Sequence, residues 1–121
     1  MRLGHLLRDD EDLEIARGTL ESFTSHYQHM GYFAAGYAKQ VDLVLNPPAE
    51  INIVGNLASA AELHAAALRL DVPARIVQVL DPVSDSERLA ALFLPPEPAP
   101  AAYACAGTMC SAPVMDSAGL A

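Results

Sequence analysis

The alternation of apolar and polar residues predicts a strand–helix–strand unit over residues 50–81. The run EINIVG at its start is apolar, rich in β-branched residues and ended by glycine, as expected of a strand. Residues 60–70 are mostly Ala and Leu, which favour helix, and Ser59 and Glu62 have the spacing of a capping box. A second apolar run, RIVQVL at 75–80, predicts another strand. Two strands joined by a crossover helix lie parallel, so we expect a parallel pair.

The segment before this unit has a helical period. Apolar residues recur at steps of three and four within 9–30, and acids crowd the start, where the helix dipole favours them. Residues 32–45 form a second predicted helix, which has few polar positions. A helix that is apolar nearly all round needs protein on several sides. We therefore predict an αα-hairpin over residues 1–48, whose 32–45 helix contacts either a second copy of the chain or the rest of a larger protein.

The segment after residue 81 predicts four further features. They are a short helix over 85–93, an extended proline connector at 94–100, a third strand at 101–105, and an edge piece at 110–114 that follows a turn at Gly107 and Thr108. The predicted fold class is α+β. It combines the N-terminal αα-hairpin with a small, three-stranded, mostly parallel Rossmann-like α/β unit over residues 49–121.

Composition narrows the classes of partner. The 121 residues are 52% hydrophobic and 18% charged, and the formal net charge is −8, which argues against a nucleic-acid ligand. No apolar stretch suits a signal peptide or a membrane helix, so we expect a cytoplasmic protein without a membrane partner. Cysteines in the cytosol are reduced by default. No motif specifies a cofactor or a metal site.

The string AAYACAGTMCSAPVMD near the end of the chain resembles a C-terminal signature, A-Y-x-C-x4-C-x2-P-V-x-D, of a family of large thioredoxin-domain proteins. The matching positions are Ala102, Tyr103, Cys105, Cys110, Pro113, Val114 and Asp116. These proteins, which include the spermatogenesis-associated thioredoxin-like protein of animals, join a thioredoxin fold to an (α/α)-toroid. The toroid is of the six-hairpin, N-acylglucosamine 2-epimerase-like kind. The resemblance implies that residues 1–48 end such a toroid. It carries over no catalytic residue, because the chain matches only the C-terminal part of the family.

Cys105 and Cys110 are the first candidate site. If Gly107 and Thr108 turn a hairpin, the two side chains face each other closely enough for a disulfide. Three interpretations are open: two small buried apolar side chains, a redox or disulfide pair, or two metal ligands. Residues 99–120 contain no Lys, Arg or His that would lower a thiol pKa, so we expect a structural pair.

The turn of Gly55, Asn56 and Ser59 is the second candidate, for an anion. It lies between a predicted strand and a helix N-terminus, where backbone N–H groups can bind phosphate, but it lacks the glycine patterns of nucleotide sites. A plain turn before a capped helix is the alternative. The sequence thus favours a non-catalytic structural module of a larger protein. The alternatives are a small dithiol redox protein using Cys105 and Cys110, and a nucleotide-binding module at Gly55.

Overall fold

The structure is a computed structural model that describes residues 1–96 and 99–120. Its backbone contacts divide the chain into two units, Met1–Pro48 and Ala49–Ala121. The first unit is helical, and the second carries a mixed β-sheet with short helices. The prediction of a mixed α+β fold is therefore confirmed. Among the residues described, no helix combines the length and the apolar composition needed to cross a bilayer.

The helical unit contains one more α-helix than the sequence predicts. Its elements are α1 (Arg2–Leu7), α2 (Asp10–Ser22) and α3 (Ala34–Leu45), with two 3-10 helices, Tyr27–His29 and Gly31–Phe33, before α3. The first helix spans fewer than two turns, so it is too short to show a hydrophobic period. Its backbone comes close to α2 at buried Gly4, where an added Cβ would lie 2.9 Å from Leu13 Cδ2.

Helix α2 begins where its acids predict but ends early. The Asp9 carboxylate caps it by accepting from the N–H of Asp12 at 3.0 Å. The predicted helix continues to residue 30, whereas the observed one ends at Ser22. Side-chain hydroxyls in this stretch donate to backbone carbonyls three or four residues back: those of Thr19, Ser22 and Thr24. Such local bonds compete with helix continuation, which explains the early end.

Two contacts of Tyr37 join α3 to the preceding segment. Its hydroxyl donates to the carbonyl of Leu20 at 3.1 Å, and its ring stacks on Tyr27 with 6.0 Å between centroids. Gly31 precedes α3 with a φ of 54°, a left-handed conformation that glycine adopts readily. The α3 helix therefore starts two residues later than the sequence predicts.

The sheet unit is built around a central strand. Its elements are β1 (Ala49–Val54), α4 (Ala61–Ala67), β2 (Arg75–Leu80), α5 (Ser86–Ala91), β3 (Ala101–Ala106) and β4 (Met109–Cys110). The strand order is β2-β1-β3-β4. The β1–β2 pair is parallel, whereas β1–β3 and β3–β4 are antiparallel. Strand β1 therefore has a partner on each side, and its residues from Glu50 to Val54 are buried.

The sheet differs from the predicted three-stranded, mostly parallel Rossmann-like unit. It has four strands, and only one of its three pairings is parallel. The chain reverses immediately after α5, where Phe93 has a left-handed φ of 55° and the Leu94 N–H donates to the Leu89 carbonyl at 3.0 Å. Strand β3 starts at the end of the sheet where β2 stops: Val54 is paired with Leu80 on one side and with Ala101 on the other. The predicted proline connector at 94–100 includes residues 97 and 98, which lie outside the described residues.

The capping box predicted at Ser59 and Glu62 is wrong. The α4 helix begins at Ala61, and its N-cap, Ala60, makes no side-chain capping bond. The Ser59 hydroxyl instead donates to the carbonyl of Asn56 at 3.2 Å, because it belongs to the preceding turn. At the other end of the crossover, the Arg75 guanidinium donates to the carbonyls of Leu68, Leu70 and Val72, which orders the connection into β2.

Alternate residues of the strands supply two apolar cores, one on each face of the sheet. The α5 face contains Val54, Leu80, Leu89, Leu92, Leu94, Ala101, Tyr103 and Cys105. The α4 face contains Ile51, Ile53, Ala60, Leu63, Ala67 and Ala102. Strand β1 is buried more completely than the other strands, because β2 and β3 cover both of its edges over nearly its whole length. One member of the α5 face, Cys105, belongs to the candidate site.

Candidate functional site

Cys105 and Cys110 are joined in a disulfide across the β3–β4 hairpin. The two residues are direct cross-strand partners, with 4.0 Å between their Cα atoms and 2.05 Å between the sulfurs. Gly107 turns the chain with a φ of 60°, a conformation that glycine adopts without strain. Cys105 is only 3% exposed, whereas Cys110 is exposed. The bonded state differs from the reduced thiols expected of the cytosol.

The segment after Cys110 keeps the hairpin paired well beyond the two residues of β4. The Ser111 N–H donates to the Ala104 carbonyl at 2.8 Å, and its hydroxyl accepts from the Ala104 N–H at 3.1 Å. Further along, the backbone groups of Ala102 and Val114 exchange two hydrogen bonds of 2.8 Å. The cysteines therefore lie in a hairpin that is held on both sides of the disulfide. The residues of the signature string, 101–116, make up this same hairpin and the turn that follows it.

A row of polar side chains runs from α5 across the sheet to the disulfide. The Arg88 Nη2 donates to Gln78 Oε1 at 3.2 Å, and Gln78 Nε2 donates to Asn52 Oδ1 at 3.0 Å. Asn52 Nδ2 then donates to Cys105 Sγ at 3.6 Å. We call Arg88, Gln78 and Asn52 the polar row. It lies on the α5 face, among the apolar side chains of that core.

The donor and acceptor ends of the polar row have only one consistent assignment. A guanidinium only donates, so the amide of Gln78 must turn its oxygen toward Arg88 and its NH2 toward Asn52. Asn52 in turn must present its oxygen to Gln78 and its NH2 to the sulfur. Asn52 is completely buried, and an unpaired amide there would cost about 1–3 kcal/mol. The row therefore holds an N–H donor against Cys105 Sγ.

Sequence reasoning missed the polar row, although a signal for it exists. Asn52 interrupts the apolar run EINIV, and Gln78 interrupts RIVQVL, each as the one uncharged polar residue of a predicted strand. The parallel register pairs these two residues directly. Because buried polar side chains require partners, a polar residue in the middle of each of two neighbouring strands predicts that they bond to each other.

The Gly55 turn is ordered by its own side chains. Gly55 has a φ of 149°, and Asn56 Oδ1 accepts from the N–H groups of Ala58 at 3.1 Å and Ser59 at 2.9 Å. These two N–H groups, which precede α4, are therefore already engaged within the loop. A cavity of about 360 Å³ adjoins the turn, and Asp81 lies in its wall. A carboxylate there disfavours an anion. Anion binding by Gly55, Asn56 and Ser59 stays a prediction.

No set of three or more His, Cys, Asp or Glu residues within 1–96 and 99–120 is grouped so as to hold a metal ion. The chain matches no known protein-family model, no curated protein and no solved structure. The resemblance to thioredoxin-domain toroid proteins therefore rests on the signature string and on the order of the upstream elements.

Proposed function

We propose that this chain is a non-catalytic C-terminal structural module of a larger thioredoxin-like, toroid-containing protein, whose last helical hairpin lies in residues 1–48. The observation that carries the proposal is the apolar surface of the helical unit. Only Gly4, Leu43 and Pro48 are buried among these 48 residues, all of which the structure describes. Large apolar side chains are exposed instead: Leu3, Leu7, Ile15, Phe23, Tyr27, Tyr32, Phe33 and Leu45.

One of these side chains, Leu45, lines a groove between α2 and α3. The groove has a volume of about 300 Å³, and Leu20, Tyr37, Val41, Val44 and Leu45 form its apolar part. Tyr32 and Phe33, which stack on each other just before α3, are 83% and 68% exposed. Extended apolar patches on soluble domains mark contact surfaces. In a toroid, each hairpin packs against its neighbours, and this surface would receive the preceding hairpin.

The isolated chain tests the proposal, because an uncovered contact surface should drive self-association through residues 32–45. We expect sedimentation to show concentration-dependent dimers or larger species. The Leu45→Glu variant should raise the dissociation constant at least tenfold, because it places a charge in the groove and removes an apolar contact of about 1.5–3 kcal/mol. Leu45 is 72% exposed, so this change leaves the fold of the unit intact.

Lys39→Gln is the matched control. It lowers the net charge by the same one unit at an exposed position on the side of α3 opposite the groove, and should leave the association unchanged. A second measurement addresses the larger protein: the reading frame upstream of the Met1 codon should stay open and encode helical hairpins. In that longer protein, backbone amides of residues 32–45 should exchange hydrogen more slowly than in the isolated chain. A monomeric chain together with an in-frame stop codon just before Met1 would reject the proposal.

A second candidate function is thiol–disulfide exchange by a small dithiol protein using Cys105 and Cys110. One observation favours it: the cysteines form a disulfide of which one residue is exposed and the other buried beside a hydrogen-bond donor. If this candidate is right, the native protein should pass reversibly between disulfide and dithiol forms in a glutathione buffer. A native disulfide that resists glutathione while the unfolded chain is reduced would reject it.

A further inference from the structure

We infer that the disulfide is opened by attack of an external thiolate on Cys110, with Cys105 as the leaving sulfur and Asn52 as its positioning residue. This inference rests on the second candidate function. Its first support is the difference in access: Cys110 lies exposed in β4, whereas Cys105 lies buried in the α5-face core. Access and the ease with which the leaving sulfur departs decide which sulfur of a disulfide is attacked.

The polar row supplies the second support. A disulfide sulfur is a weak acceptor, whereas a thiolate is a strong one, so the bond from Asn52 Nδ2 to Cys105 Sγ strengthens as the S–S bond breaks. The donor is already in place, because Gln78 and Arg88 fix the orientation of the Asn52 amide. A donor that is held in position before the reaction stabilises the developing charge without reorganisation. None of the hydrogen bonds described for the polar row involves Cys110.

The reaction balances with two equivalents of a small thiol. The first thiolate forms a bond to Cys110 Sγ while the Cys105–Cys110 bond breaks, and the electron pair remains on Cys105 as a thiolate that later takes a proton from water. A second thiolate then attacks the sulfur of the small thiol that is bound to Cys110, and the bond between that sulfur and Cys110 Sγ breaks. This step releases the oxidised small disulfide and leaves Cys110 as a thiolate, which takes a proton from water. Two electrons pass from the two small thiols to the cysteine pair.

The reaction with glutathione identifies the attacked sulfur. The native protein is exposed briefly to glutathione, and free thiols are then blocked with iodoacetamide. Cyanogen bromide cleaves after Met109, which separates the two cysteines for mass spectrometry. We expect glutathione on Cys110 and the carbamidomethyl group on Cys105. Glutathione on Cys105 would overturn the inference while leaving thiol exchange itself intact. No mixed disulfide in the native protein would reject both the exchange function and the inference.

The Gln78→Glu variant tests the polar row. A carboxylate only accepts, so Asn52 must turn its NH2 toward Glu at this position and its oxygen toward Cys105 Sγ. Exchange should then be at least tenfold slower, which corresponds to about 1.4 kcal/mol of lost transition-state stabilisation. Gln28→Glu makes the same chemical change at an exposed position of the helical unit and should exchange at the wild-type rate.

Asn52→Leu provides a second arm if the Gln78 variant folds poorly. It removes the N–H donor but does not place an oxygen against Cys105 Sγ. Its rate of thiol–disulfide exchange should therefore lie between those of the wild type and Gln78→Glu. Urea unfolding of each oxidised variant separates a loss of fold from a loss of rate. A wild-type exchange rate in the folded Asn52→Leu or Gln78→Glu protein would show that the row plays no part, and it would overturn the assignment of Asn52.

Discussion

Replacing Asn52 by Asp should make the stability of the sheet unit depend steeply on pH. Asn52 uses both ends of its amide: its oxygen accepts from Gln78, and its NH2 donates to Cys105. A protonated Asp side chain can repeat this pattern, since it has one O–H donor and one carbonyl acceptor. An ionised Asp cannot, because it has no donor. It would also carry a charge at a position with 0% exposure.

The sign and the size of the effect follow from burial. Desolvation raises the pKa of a carboxyl in the folded state above the unfolded value of about 3.9, by as much as about 3–5 units when burial is complete. Below about pH 4 the carboxyl is protonated in both states, and the variant should be nearly as stable as the wild type. Above that pH the variant loses about 1.4 kcal/mol per pH unit until the folded-state pKa is reached. At pH 7, about three units above the unfolded-state pKa, the loss would be about 4 kcal/mol, a large part of the stability of a typical domain.

Urea unfolding at pH 4 and pH 7 measures this prediction, with Asn56→Asp as the matched control. Asn56 is exposed and uses only its oxygen, which accepts from Ala58 and Ser59, so a carboxylate can replace it without loss. We expect the two variants to be similar at pH 4 and to differ by several kcal/mol at pH 7. Equal stability of both variants at pH 7 would refute the reasoning and the burial of the polar row with it.

Three further predictions concern the backbone and the disulfide. Phe93→Gly should raise the free energy of unfolding by up to about 1 kcal/mol, because Phe93 is 92% exposed and holds a left-handed φ of 55°; calorimetry that shows no gain would argue against strain there. Gly55→Ala should lower it by about 1–3 kcal/mol, because φ is 149°, and a neutral result in urea would contradict this conformation. Reducing the Cys105–Cys110 bond should cost about 2 kcal/mol, since the closed loop is short; a loss above about 4 kcal/mol in urea with and without reductant would contradict the chain-entropy estimate.

The local elements could be predicted because their signals are local. The strands at 49–54 and 75–80 follow from short apolar β-branched runs, and the start of α2 follows from the acids at 9–12. The direction of β3 could not be predicted in the same way. The turn that ends α5 is made at Phe93, a left-handed residue that carries no glycine signal.

In the candidate site, too, the local feature could be predicted and the long-range one could not. Cys105 and Cys110 face each other because the chain turns between them at Gly107, and their spacing around this glycine is enough to predict the pairing. The environment of Cys105 depends on Asn52, which lies 53 positions earlier in the chain and reaches it only through the β1–β3 pairing. The prediction that no cation lies near the cysteines rests on residues 99–120 alone. Arg88 lies outside that range and is connected to Cys105 through two amides.

The central position of β1 has a consequence for synthesis on the ribosome. Strand β1 can pair with β2 early, but its other edge stays open until β3 has been synthesised. Cys105 of β3, for example, follows Asn52 of β1 by 53 positions. At about 5–20 residues per second, that edge remains unpaired for about 3–10 s. Open edges of apolar strands are sites of aggregation. We therefore expect chains that stall or are cleaved between residues 81 and 100 to be substrates for chaperones and proteases rather than stable fragments.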